Sequence, residues 1–176
     1  MLFARLSRAA GWHADVEVAG TGWRADTLAT HPQTGRKIAW EIQLSPASLA
    51  TLRRRTETMA RDQVATCWIS TELTPWLGEL PSIQIRHVAR ENLASAYEVI
   101  DGHRRYDADT HSWQNPGPIE LGAFVAAVLS GNLVNIPVPR HCAPHFPGLY
   151  GPSRRPGSRV WTTPRYAAQF AQRSSG

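Results

Sequence analysis

Trp23-Arg-Ala-Asp26-Thr-Leu-Ala-Thr30, His31-Pro-Gln-Thr-Gly-Arg36 and Lys37-Ile-Ala-Trp-Glu41-Ile-Gln43-Leu44 follow one another without a break. The two outer segments carry the β-branched, aromatic and alternating apolar residues of strands, while Pro32 and Gly35 punctuate the middle one as a turn. Ile38, Trp40, Ile42 and Leu44 alternate with Ala39, Glu41 and Gln43, the period of a sheet with two distinct faces. A hairpin closed symmetrically over Pro32–Gly35 makes opposed residue numbers sum to 67. Asp26 then lies directly opposite Glu41, with Gln43 two residues further along the same face.

On the N-terminal side, Leu2, Phe3, Leu6 and Ala9 recur at helical spacing, so a helix ends before Gly11. Trp12 to Val18 switches to period two, and Gly20-Thr-Gly22 turns the chain into the hairpin. On the C-terminal side, Ser45-Pro46 predicts a helix start, serine capping free N–H groups and proline taking the first helical position. That helix is expected to reach about Asp62 and to bury Leu49, Leu52 and Met59. Val64 to Ile69 then reads as a buried strand and Ser82 to Val88 as another.

The predicted order is α-β-β-β-α-β with one more strand and a late helix, a mixed α/β sheet flanked by helices. Residues 1–100 form the domain on this reading. Residues 101–136 supply a polar loop up to 118 and an apolar helix from 119, which packs on the sheet or on a second copy of the chain. Residues 137–176 are expected as a Pro/Arg-rich, partly disordered tail, because seven of the thirteen prolines fall between Pro137 and Pro164.

The chain has 176 residues, 42% hydrophobic and 19% charged, enough to bury a core without metal or disulfide staples. Two cysteines, Cys67 and Cys142, exclude a disulfide scaffold. No run approaches the roughly 18 apolar residues of a membrane span, and the start of the chain is too short in apolar residues for a secretory signal, so a cytoplasmic protein is expected. The formal charge of +5 is uneven: residues 140–176 hold six arginines and no carboxylate, leaving 13 basic against 14 acidic residues before them. The basic character is therefore a C-terminal feature, suited to sequence-independent contact with nucleic acid.

Two carboxylates opposed in a sheet repel, so Asp26 and Glu41 require a neutralising partner. A divalent cation such as Mg²⁺ takes carboxylate oxygens of this kind. Arg24 or Lys37 on a solvated face is the alternative.

The residues from Trp23 to Ser70 resemble the nuclease-like domain of the competence protein CoiA family, a branch of the PD-(D/E)xK nuclease superfamily. The resemblance rests on Arg24-Ala-Asp26, Ile38-Ala-Trp-Glu41-Ile-Gln43-Leu-Ser45, Arg55-Thr56 and Trp68-Ile69. It implies a PD-(D/E)xK-like core and a metal-dependent deoxyribonuclease. Asp26 and Glu41 would hold Mg²⁺ or Mn²⁺, with the backbone carbonyl of Ile42 as a further ligand. Gln43 stands where most of the superfamily has lysine; its amide can orient water or a phosphate oxygen but cannot act as a base.

Glu17 corresponds to an acidic residue that often precedes the aspartate strand in this branch, with Asp15 behind it. Arg55 is the residue expected to contact phosphate or a carboxylate, with Arg24 and Lys37 as further phosphate contacts, and Arg53 and Arg54 facing solvent. His141-Cys142-Ala-Pro-His145 offers too few ligands for a structural zinc. Trp40 and Trp68 read as core, whereas Trp12 and Trp23 flank the expected site. The partner implied is DNA, bound with weak sequence preference. The alternatives are a non-catalytic DNA-binding accessory and a protein-interaction domain.

Overall fold

The computed structural model describes residues 1–89, 96–139, 142, 144–147 and 154–174. The elements before residue 90 are α1 (Leu2–Ala9), β1 (His13–Gly20), β2 (Trp23–Thr30), β3 (Lys37–Ile42), α2 (Leu49–Arg61), β4 (Val64–Ser70) and β5 (Ser82–His87). Those after it are β6 (Tyr97–Asp101), β7 (Arg105–Asp107), β8 (Ser112–Gln114), β9 (Ile119–Glu120), α3 (Leu121–Leu129), β10 (Val134–Pro137), β11 (His145–Pro147), β12 (Arg154–Pro156), β13 (Arg159–Thr162) and α4 (Pro164–Ser174). Seven strands make one sheet in the order β1-β2-β3-β4-β5-β6-β9. The β3–β4 and β4–β5 pairs are parallel and the others antiparallel, which gives a mixed α/β architecture.

The β2–β3 hairpin has the register its sequence predicts: Thr27 opposes Trp40, Leu28 opposes Ala39, Ala29 opposes Ile38 and Thr30 opposes Lys37. Gly35 closes the turn with φ +69°, a left-handed conformation that glycine adopts without a Cβ clash. The peptide N–H of Gly35 donates to the His31 carbonyl at 3.0 Å. The third strand ends at Ile42 rather than Leu44, and the helix after it is capped by Ser48 rather than Ser45. Ser48 has extended backbone angles and its hydroxyl accepts the Thr51 N–H, so the three residues beyond Ser45 remain outside the helix. Leu52 and Met59 are buried as expected, with Leu49 half-buried.

The alternation of the strands sorts the core onto two faces. Trp40, Cys67, Ile69 and Ile83 pack with Phe3 and Leu6 of α1 and Phe124 and Val125 of α3. Trp40 stacks on Phe3 and donates its indole N–H to the buried Ser7 hydroxyl at 3.2 Å. On the other face, α2 covers Ala39 and Val64 through Met59, and Trp68 through Leu52. The apolar helix around residue 125 thus finds its partner in α1 and the sheet. Its first two expected residues, Ile119 and Glu120, pair with β6 as a strand instead.

Two expectations are corrected. Residues 101–118 contain the β7–β8 hairpin, in which Tyr106 opposes Trp113 and both are buried. The segment from 137 onwards is no appended tail in its described residues. β13 pairs antiparallel with β10, and Val138, Val160 and Phe170 join Tyr106 and Trp113 in a second core. Trp161 enters the main core. Its prolines forbid long helices but not two-stranded ribbons, and its aromatic residues supply the surface that folds it back. Among the described residues no helix is long and apolar enough to cross a membrane. His141 and Ala143 lie outside the described residues; Cys142 is a free thiol and His145 opens β11.

Candidate metal and phosphodiester site

The site begins with an irregularity in the β1–β2 hairpin. Ala29 packs on the α1 side of the sheet, and strict alternation would put Ala25 there too. Ala25 packs instead with Ala39 and Met59 beneath α2. β2 therefore turns over at Asp26. At the matching position of β1, between the pairs Val16–Thr27 and Val18–Ala25, Glu17 has φ +56°, a conformation rare and strained for a residue other than glycine.

The regular β2–β3 ladder stops at Thr27–Trp40, and the two carboxylates take over. The Asp26 N–H donates to Glu41 Oε1 at 3.2 Å, and the Ile42 N–H donates to Asp26 Oδ2 at 2.8 Å. Each acid is thus fixed by the peptide group of the opposite strand. Peptide groups alternate in direction along a strand, so the Ile42 carbonyl faces the same side as its N–H, toward Asp26. The neighbouring Gln43 N–H points the other way, to the Ile69 carbonyl.

Glu41 is buried at 1% exposure. Desolvation, then the charge of Asp26, push its pKa up to about 7, against the opposing pull of Arg55. Arg55 Nη2 donates to Glu41 Oε2 at 2.6 Å. Its guanidinium lies 4.8 Å from the centre of the Trp68 ring, a cation–π contact. The Trp68 indole N–H donates to Thr56 Oγ1 at 2.8 Å, and that hydroxyl donates to the Leu52 carbonyl at 2.9 Å. Helix α2 therefore delivers both the arginine and the hydroxyl that holds its aromatic platform.

The expected residues divide into those brought together and those not. Asp26, Glu41, Ile42 and Arg55 converge. Glu17 stands close enough for its charge to add to the upward shift of Glu41; its carboxylate pairs with Arg24 at the exposed edge. Gln43 lies one residue beyond β3, where its amide donates to the Ser45 carbonyl at 2.6 Å. Lys37 sits at the other end of β3, opposite Thr30. Trp12 is also remote, in edge contact with His31 under Arg36, whereas Trp23 donates to Asp62 at the end of α2.

In the sequence Thr56 and Trp68 figure only as motif residues, with Trp68 read as core, and their role in holding Arg55 is not foreseen. Trp68 placed an indole N–H inside an apolar run, a donor that had to find an acceptor.

The donor set suits a hard divalent cation. Two carboxylates, one desolvated and carrying a raised pKa, stand beside a carbonyl at the end of a broken ladder, the oxygen chemistry that Mg²⁺ and Mn²⁺ accept. Asp26 Oδ1 accepts no hydrogen bond among the described residues. Among those residues no group of three or more His, Cys, Asp or Glu is gathered for a metal, so water or substrate oxygens would complete the shell. Comparison of the chain with protein-family models, curated proteins and solved structures returned no match.

Proposed function

We propose that this chain is a Mg²⁺- or Mn²⁺-dependent nuclease of the PD-(D/E)xK type, similar to the CoiA-like branch, that hydrolyses phosphodiester bonds in DNA. The observation that carries the reading is the convergence of Asp26 and buried Glu41 at the break in the β2–β3 ladder, beside Arg55. Asp26, Glu41 and the Ile42 carbonyl are the residues to hold the cation. A bound cation at such a site polarises a phosphate oxygen and acidifies a water.

The chain's own residues do the rest. The peptide N–H of Ile42 fixes one oxygen of Asp26 and, among the described residues, the other accepts no hydrogen bond. The N–H of Asp26 fixes Glu41, so the two acids keep their spacing without a ligand. Arg55 neutralises Glu41 in the free protein. Held over Trp68, it is placed to turn to a phosphate oxygen once another cation takes over Glu41. Gln43 can reorient from Ser45 to a water or phosphate oxygen, but its amide brings no charge.

The test is cleavage of labelled single- and double-stranded DNA, linear and circular, with Mg²⁺ or Mn²⁺, by the parent, Glu41→Ala and Asp26→Asn. Metal-dependent cutting should fall by about 100-fold or more in both variants. A second reading, a DNA-binding accessory that does not cut, draws on Gln43, whose amide is occupied by Ser45 where a lysine would otherwise stand. DNA binding without cutting by the parent in either metal would establish that reading instead.

A further inference from the structure

A cavity of about 600 Å³ lies at the end of β3 remote from Asp26 and Glu41, lined in part by Lys37, Arg53, Val64, Thr66, Arg159 and Trp161. It exists because β5 stops short. β5 pairs with β4 only from Trp68 to Ser70, and the Trp68 N–H already reaches back to the Pro81 carbonyl at 2.8 Å. Peptide groups alternate along a strand, so those of Val64 and Thr66 face the same side as that of Trp68, where among the described residues no strand lies alongside. The start of β4 thus presents an open sheet edge to the cavity.

Two residues of its wall, Asn135 and Trp161, also hold buried donors that are unmet among the described residues. Trp161 is 5% exposed, and among the described residues neither its indole N–H nor Asn135 Nδ2 has an acceptor. The Asn135 carbonyl oxygen is already taken by Arg159 Nε at 2.6 Å, which leaves that amide only its donor end. Buried donors of this kind call for acceptor atoms. Lys37 and Arg53 are exposed at the rim and form no ion pair among the described residues. Arg159 adds a third cation, against Glu57 and Glu79 on the same walls. Trp12, Leu129 and Leu133 make the remaining surface apolar.

We propose that this cavity is a second ligand site, for a small anion bearing a planar apolar ring with acceptor atoms on its edge, the chemistry of a nucleoside 5′-monophosphate. Lys37 and Arg53 hold the phosphate, and the ring enters against Trp161 and the open edge of β4. The volume falls within the range of small-molecule sites. Neither acid lines the cavity, although Thr56, which holds the Trp68 indole, also stands on its wall, and the inference does not rest on the nuclease reading.

The experiment is calorimetric titration of the full chain, in EDTA to silence any metal site, with the 5′-monophosphates of adenosine, cytidine, guanosine and thymidine, and with inorganic phosphate. At least one nucleotide should bind with a Kd below about 0.1 mM, and phosphate alone at least about tenfold more weakly. The double variant Lys37→Glu, Arg53→Glu changes exposed side chains only and should weaken the nucleotide by about tenfold or more, while Glu41→Ala leaves it unchanged. No binding of any nucleotide at about 1 mM, equal binding of phosphate, or an unaffected double variant would overturn the proposal. Loss of cutting in Glu41→Ala with nucleotide binding intact separates the two sites.

Discussion

Glu41 is a buried acid whose charged form is costly to the fold. Burial and the Asp26 carboxylate raise its pKa to about 7, so the folded protein holds this proton more tightly than the unfolded chain does. Between the ordinary glutamate range and 7 the folded state therefore binds more protons, and stability must fall as pH rises. Above 7 the penalty is complete, and below the unfolded value it vanishes. Glu41→Gln should flatten the melting profile between pH 5 and 8 and stabilise the protein at pH 8 by something on the order of 2 kcal/mol, allowing for the released Arg55. Mn²⁺ should raise the melting temperature of the parent more at pH 8 than at pH 6, and leave Glu41→Gln unmoved. Thermal melts across pH decide it: a parent profile that is flat or rises from pH 5 to 7 would refute the buried-acid account.

At the scale of elements, the hairpin and helix α2 act as one device, the hairpin fixing two acids and the helix bringing Arg55 across. The helix is anchored at its start by Ser48, whose hydroxyl accepts from Thr51. Ser48→Ala should lower stability by about 1 kcal/mol, whereas Ser45→Ala, outside the helix, should change it by less than about 0.5 kcal/mol. Paired urea melts measure both, and the reverse ranking would restore Ser45 as the cap.

The hairpin register was legible because Pro32 and Gly35 fix the turn and the side-chain period fixes the faces. The cap was not, because Ser45-Pro46 and Ser48 are both acceptable local starts. The choice falls to where the chain leaves β3, at Ile42. The turnover of β2 at Asp26 was also hidden: it requires Glu17 in a left-handed conformation, which no pattern of polarity announces. The acids were thus found from spacing, but what fixes them, peptide groups freed by a broken ladder, was not.

For the whole molecule, the described residues from 137 onwards reverse what composition suggested. Proline and arginine content argued for a solvated tail, yet composition averages over the few residues that decide burial. Val160, Trp161 and Phe170 are all buried, and Phe170 meets the rings of Tyr106 and Trp113 at 5.4 and 5.1 Å. A helix that only decorated the fold would tolerate loss of this ring. One that closes a second core would not, because truncation removes apolar contact and leaves a void between β7, β8 and α4. Phe170→Ala should therefore remove about 3 kcal/mol, a fall in Tm of roughly 6–12 °C for a chain of this size. The exposed Arg173→Ala on the same helix should shift it by less than about 2 °C. Calorimetry of the two variants separates the cases: if Phe170→Ala melts with the parent, α4 is an appendage and the second core does not hold the fold. If it melts early in a single transition, the C-terminal segment and the sheet carrying Asp26 and Glu41 unfold as one unit.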